Sequence, residues 1–468
     1  MEKTPFLATF VRLTLTGLVV VLASRVGYAD PFTSGNVVVY RVGDGSGTLT
    51  DNGNPVFLDE YNVRGTSATL VQSIAMPTQA SGAQMQLIAT SNSSEGLIAR
   101  STDGQYILLT GYASDLGGNA ALDTVDATTV PRTVGRVKYD GTIDTSTALT
   151  DMSSKNNIRS ATSTDGIDIW VGGASGSSGG VHYTTLGATT STQLFAAIPK
   201  GVRQAHIFGG QLYFDSNATG LLNVSTVGAG TPKMGGQMGT ELPGLPDTAG
   251  NDGYVFIDFG DGNGFATLYV ANDTVGQILK YSLVGNDWVA NGTITAAGVR
   301  GLAGFAKQGI VTLYATGTTG TDGTLYTYSD PTGHNGAVSD TAVILTSALT
   351  NEAFRGVALA PVGNNQPPTP SATVPASPTP TPTATIPPTN TRPPTATPTV
   401  NLTPIACVGD CDHNGKISVD ELVTGVNLAL ATLTLDHCPE FDCNHDEHVT
   451  VDCLVKAVQG AVNGCTDQ

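Results

Sequence analysis

Along residues 36 to 361, short apolar runs alternate with clusters of Gly, Asp and Asn, and no stretch shows the three-to-four-residue apolar spacing of a long helix. The runs are β-branched and aromatic: Asn36-Val37-Val38-Val39-Tyr40, Gln105-Tyr106-Ile107-Leu108-Leu109, Asp168-Ile169-Trp170-Val171, Gln211-Leu212-Tyr213-Phe214, Thr267-Leu268-Tyr269-Val270 and Val311-Thr312-Leu313-Tyr314. Each predicts a short strand, and the intervening Gly and Asp residues supply the turns. The region is therefore predicted to be all-β.

A longer period organises the strands. Ile158-Arg159, Val202-Arg203, Val299-Arg300 and Phe354-Arg355 each place Arg after an apolar residue, at separations of 44, 97 and 55 residues, the middle one being two periods. A repeat of about 40 to 55 residues carrying three or four strands is the signature of a propeller blade. Blades are predicted at 94–150, 157–198, 202–245, 250–295 and 298–347. Residues 36–76 would join Phe354 to Ala360 as a sixth and so close the ring without exposed edges. The expectation is an all-β, six-bladed β-propeller over residues 30–362, with seven blades as the alternative count. A pair of β-sandwiches would explain the strands but not the recurring Arg. Arg159, Arg203, Arg300 and Arg355 would gather near the axis, either as a basic mouth for an acidic sugar or other anion, or as structural residues paired with carboxylates and loop carbonyls. The structural reading is preferred, because a ligand site tends to break a repeat's symmetry.

After residue 407 the spacing becomes helical. Val419, Leu422, Val423, Val426, Leu428 and Leu430 form one stripe, and Val451, Leu454, Val455, Val458 and Val462 form a second. Two helices that bury these stripes against each other are predicted. An acidic loop precedes each helix. The first, Asp410 to Glu421, has oxygen side chains at positions 1, 3, 5, 9 and 12 and Gly415 at position 6, the pattern of an EF-hand Ca²⁺ loop. Asp410, Asp412, Asn414 and Glu421 are the expected side-chain ligands, with Lys416 binding through its carbonyl and Ser418 through water. The second loop offers Asp442, Asn444, Asp446, His448 and Thr450. It has Glu447 where Gly permits the tight turn and Cys453 where a bidentate carboxylate is needed, so weak or absent Ca²⁺ binding is expected there. Zinc held by Cys438, Cys443, His445 and His448 is the alternative to three disulfides among the six cysteines, whose pairing the sequence leaves open.

Two such half-hands in tandem, over about residues 407 to 465, resemble the dockerin module. The resemblance implies a small α-helical unit ordered by Ca²⁺ that docks to a protein partner, cohesin-like in that family, and it associates the chain with polysaccharide catabolism. Glu421 stands where dockerins usually carry Asp, and the cysteines are additional.

The remaining segments fit an exported modular chain. Lys3 and Arg12 precede an apolar run from Leu13 to Leu22, and Gly27-Tyr28-Ala29 offers small residues for cleavage, so residues 1–29 are predicted to be a signal peptide. The run is too short for a stable span, which needs about 20 apolar residues. Residues 363–405 form a Pro/Thr-rich linker: 13 of the 25 prolines lie between 367 and 404, a composition that favours extended polyproline II and a reach of about 120 Å. Residues 406–468 are then a separate module. Of the net charge of −18, residues 407–468 contribute −9, and the absence of a basic patch disfavours nucleic acid as a partner. Catalytic signals are poor. Gly176-Ser177-Ser178-Gly179-Gly180 lacks the strand-to-helix context of a nucleophile elbow. His182, His206 and His334 have no metal or triad spacing, Asp258 to Gly264 reads as a turn, and Glu60, Glu95, Glu241 and Glu352 are the only glutamates of the large domain. The expected function is a secreted or cell-surface, non-enzymatic protein whose propeller binds a glycan or protein and whose Ca²⁺ module attaches it to a partner. The alternative is an extracellular polysaccharide hydrolase or lyase carrying a dockerin.

Overall fold

All six β-branched runs become strands, from Val37–Val42 and Tyr106–Tyr112 to Ile310–Gly317, because alternate side chains of each can be buried between neighbouring sheets. The computed structural model describes residues 29–363 except 175, 196, 198, 200, 217–220, 249 and 319–322, and residues 408–463 except 412–415, 430–434, 436–437 and 444–448. All of the predicted signal peptide but Ala29, and most of the linker, lie outside these residues. The chain divides into two units, Met1–Ser377 and Pro378–Gln468.

The first unit is all-β and propeller-like, built from antiparallel sheets in sequence order. Ile158–Ser163, Asp168–Gly173, Gly180–Thr185 and Thr192–Gln193 form one sheet, and Ala205–Phe208, Gln211–Phe214, Ser225–Val227 and Gly239–Glu241 the next. Asn251–Ile257, Thr267–Asn272, Gln277–Val284 and Asp287–Thr295 follow, with Val338–Thr341 added in parallel. Val299–Lys307, Ile310–Gly317, Thr324–Asp330 and Val343–Ser347 make the fourth. The count departs from six separate blades. The remaining strands form a single nine-stranded sheet, because the two-residue strand Ile88–Ala89 pairs with Asn54 and Pro55 on one side and with Tyr112 on the other. In that sheet the last strand, Ala353–Leu359, pairs with the first, Val37–Val42. Apolar side chains fill the spaces between successive sheets, as with Trp170, Val202 and Phe214 between the first two and Ile257, Tyr269 and Leu313 between the last two.

Six innermost segments abut in a closed ring. Leu97 N–H donates to Arg159 O at 3.0 Å, Ala205 N–H to Ser160 Oγ at 2.9 Å, and Tyr254 N–H to Gln204 Oε1 at 2.9 Å. The next three contacts are direct backbone approaches at glycine. A Cβ on Gly253 would overlap Arg300 O, one on Gly301 would press on Arg355 O, and one on Gly356 would overlap Gly96 O. Ser160 and Gln204 at this position reach across to the neighbour's amide with their side chains; where the residue is Gly, the neighbouring backbone fills the space.

The second unit contains the helices Val419–Ala429 and Val451–Asn463. Its core is Ile417, Leu428, Phe441 and Ala457, with the Phe441 ring seated on Gly425 so closely that a Cβ there would overlap it. Disulfides join Cys411 to Cys438 and Cys443 to Cys453, which leaves Cys438 and Cys443 no thiolate for the zinc alternative. The expected burial of both helix stripes is not met. Leu428 is buried, but Val423 and Val426 are 54 % and 46 % exposed, and Val455 and Val458 are 49 % and 48 % exposed. So small a unit has too little interior to cover two full stripes.

Candidate functional site

The residue preceding each ring contact is Gly96, Arg159, Arg203, Asp252, Arg300 or Arg355, so the Arg repeat does gather on the innermost segments. Asp252 takes the repeat position between two arginines and receives both: Arg203 and Arg300 each place Nη1 3.3 Å from Oδ1. Arg300 also pairs with Asp273. Arg159 donates to the carbonyls of Gly201 and Val202 at 3.1 and 3.3 Å, and Arg355 to Thr318 Oγ1 and Ser91 O, both at 2.9 Å. The structural reading of these arginines therefore accounts for their contacts. Burial lowers the Arg159 and Arg355 guanidinium pKa values to about 10, which leaves both charged at neutral pH.

Three carboxyls near this ring are held above their ordinary range. Burial pushes Asp252 up to about 6 against the pull of Arg203 and Arg300. Burial, reinforced by the Asp252 charge, raises Asp215 well above the carboxylate range; its Oδ1 accepts from Gln204 N–H at 2.7 Å. Burial also raises Glu95, which accepts from Tyr112 Oη and Asn157 Nδ2 at 2.6 Å. Among the other glutamates, Glu60 accepts from Thr33 N–H and Asn36 Nδ2 and Glu352 pairs with Arg41, whereas Glu241 Oε1 is buried with no hydrogen-bond partner among the described residues. His182 bonds Ser191 Oγ and Gly179 O, which gives Ser177 no base. Asp258 and Asp261 accept from the amides two residues on, as in simple turns.

Further along the same inner strands lies a cavity of about 510 Å³, which sequence reasoning missed. It is lined by Ile98, Arg100, His206, Phe208, Phe265 and Leu302 among others, drawn from four different sheets. No motif could reveal it, since the lining is assembled from several sheets whose strands are far apart in the chain.

In the second unit, Asp410 and Glu421, at positions 1 and 12 of loop one, are both buried, at 4 % and 8 % exposure. Glu421 folds back on the loop: Oε1 accepts from Cys411 N–H at 2.7 Å and Oε2 from Ser418 N–H at 2.7 Å, while Ser418 Oγ accepts from Glu421 N–H at 3.3 Å. The Ser418 and Glu421 pair is also a capping box for the helix that follows. Loop two is closed between the same two positions by a covalent bond, Cys443 to Cys453. Position 12 is thus tied to position 2 in both loops, by a carboxylate hydrogen bond in one and a disulfide in the other. Lys416 and Ser418 are exposed, and Asp442 and Thr450, within loop two, are partly exposed. Asp412 and Asn414 of loop one, and Asn444, Asp446 and His448 of loop two, lie outside the described residues. Among the described residues no group of three His, Cys, Asp or Glu side chains could hold a metal ion, and no helix is long and apolar enough to cross a membrane.

No family model and no curated relative matches this chain. Among solved structures it is similar to TolB from Acinetobacter baumannii, at 10 % identity and a TM-score of 0.40, over 69 % of this chain and 67 % of that one. It is similar also to the GH93 α-L-arabinofuranosidase of Fusarium graminearum solved with arabinobiose, at 11 % identity and a TM-score of 0.38, over 60 % and 88 %. A third is the Dos1 propeller, at 11 % identity and a TM-score of 0.35, over 55 % and 62 %. Likenesses this distant assign no activity, so function has to be read from the chain's own geometry.

Proposed function

We propose that the chain is an exported, non-enzymatic modular binding protein. In this reading the propeller-like unit presents a glycan- or protein-binding surface, and a Ca²⁺-ordered, dockerin-like unit attaches the molecule to a protein partner. The observation that carries the attachment role is the duplicated exposed face of the second unit. Val423 and Val426 recur 32 residues later as Val455 and Val458, and all four are 46 % to 54 % exposed. Surface apolar residues repeated at the same place in two half-hands are what a docking face requires.

The loop geometry supports Ca²⁺ as the ordering ion. Two buried carboxylates, Asp410 and Glu421, stand at its first and last positions; Asp412 and Asn414 would add side-chain oxygens, Lys416 its carbonyl and Ser418 a water-mediated contact. Such an ion would supply positive charge to a cluster of hard oxygens and fix the start of the first helix. Calorimetric titration of the full oxidised chain with Ca²⁺ tests this. Wild type is expected to bind about one ion at roughly 10⁻³ M or tighter, and Glu421→Gln to lose that heat. Equal titrations of the two proteins would refute the calcium reading.

A second reading, an extracellular polysaccharide hydrolase or lyase, is favoured by the raised carboxyls Asp215 and Asp252 near the ring. Release of sugar ends from plant or microbial polysaccharides that Asp252→Asn abolishes would establish it in place of the first.

A further inference from the structure

We infer that the cavity on the inner strands of the propeller-like unit is a binding site for a small molecule with a flat apolar body and a single carboxylate, the carboxylate resting on Arg100. The cavity's 510 Å³ falls within the range of small-molecule sites. One wall is aromatic: the Phe208 ring lies 4.3 Å from His206, 5.3 Å from Phe256 and 6.1 Å from Phe265, centre to centre. Phe265 lines the cavity yet is 39 % exposed, so it stands where the cavity meets solvent. Opposite chemistry comes from aliphatic positions such as Ile98, Leu302 and Val357. A planar apolar body gains offset or edge-on contact with such a wall.

The charge requirement is specific. Arg100 is the single Lys or Arg among the lining residues. Its side chain's one hydrogen bond among the described residues is a 3.3 Å contact from Nη1 to Ala360 O, and no described carboxylate pairs with it. This contrasts with Arg41, Arg203 and Arg300, each of which has an Asp partner. A guanidinium so placed is shaped to take a carboxylate through two parallel N–H···O bonds. His206 adds no second charge, since burial, with the Arg100 charge, lowers its pKa to about 3. One cation matches one negative charge, which favours a monocarboxylate over a phosphate dianion. His206 Nδ1 has no hydrogen-bond partner among the described residues, and His206 stands in the wall as a neutral polar group that can orient the ligand.

This inference concerns the propeller-like unit alone and goes beyond the docking reading, so the two fail separately. The test is titration of the full chain, without Ca²⁺, with 2-naphthoate, 2-naphthamide and glucuronate, read by calorimetry and by saturation-transfer NMR. 2-Naphthoate is expected to bind at one site, the neutral amide at least about tenfold more weakly, and Arg100→Gln to remove that preference. Phe265→Ala, at the exposed edge, should weaken naphthoate roughly two- to twelvefold and keeps the test open if Arg100→Gln does not fold. Absence of naphthoate binding, equal binding of acid and amide, or preference for glucuronate would each overturn the assignment.

Discussion

Lys280 gives the sharpest energetic test of how the propeller-like unit is built. Its side chain and that of Asp330 are both fully buried, with Nζ 2.7 Å from Oδ2. Nζ also donates to Thr332 Oγ1, Gly333 O and Gly336 O at 2.7 to 2.8 Å, so one buried cation pins the turn after Thr324–Asp330 to strand Gln277–Val284. Lys280→Met keeps the length of the side chain but strands Asp330 and deprives two glycine carbonyls of a donor. Breaking a buried pair from one side costs about 3 to 5 kcal/mol. For a unit of about 330 residues, an unfolding entropy of roughly 0.7 kcal/mol/K turns this into a melting shift of roughly 4 to 7 °C. Burial pushes the Asp330 carboxyl up, but Lys280, Thr332 and Tyr269 more than offset it, so it titrates below the usual carboxylate range. Its stabilising contribution is therefore present above the unfolded pKa and is lost as pH falls through the lower native value. Without Lys280 burial prevails, the native pKa rises, and the variant's deficit should shrink as pH falls through that raised value. Calorimetric melting at pH 7 and pH 4 reads both effects. A shift below about 1 °C at pH 7, or a deficit that grows on acidification, would refute the reasoning.

Two further outcomes follow from the ring and the cavity wall. Gly356→Ala sets a Cβ against Gly96 O, Ile98 N and the Leu97 Cα, all backbone atoms with little room to yield; it is expected to cost about 1 to 3 kcal/mol or more, read as a lowered melting temperature, whereas Gly65→Ala, where nothing lies within 4 Å but φ is +61°, should show only the smaller backbone strain. His206 has a native pKa of about 3, below its unfolded value of about 6.5, so the unfolded chain takes up a proton first as pH falls. Wild type should then lose stability relative to His206→Phe between pH 6.5 and 4, by at most about 3 kcal/mol; parallel pH profiles for the two proteins would show that His206 is not shielded.

What the sequence made legible was whatever each repeat carries by itself. Strands were readable from β-branched runs such as Asp168 to Val171, and the inner position of each repeat from its Arg. Asp252 escaped notice because a carboxylate replaces the Arg at that position, and its meaning as the shared partner of Arg203 and Arg300 exists only once the segments stand side by side. The joining strand Ile88–Ala89 is two residues long, below any periodic signal, so the merger into a nine-stranded sheet could not be foreseen. The cavity around Arg100 and His206 has the same origin, being assembled from strands far apart in the chain. On the helices the spacing of Val423, Val426, Val455 and Val458 was legible but its burial was not, because periodicity marks an apolar face without saying what covers it.

The central claim is that Ca²⁺ orders a docking unit at the end of this chain. Hydrogen exchange of the full oxidised protein, followed by mass spectrometry with and without Ca²⁺, addresses it segment by segment. The account expects slower exchange in Val419–Ala429, to a smaller extent in Val451–Asn463, and unchanged exchange in the strands of the first unit. Identical exchange in both helices with and without Ca²⁺ would contradict it and leave a disulfide-stapled helix pair whose loops bind no ion.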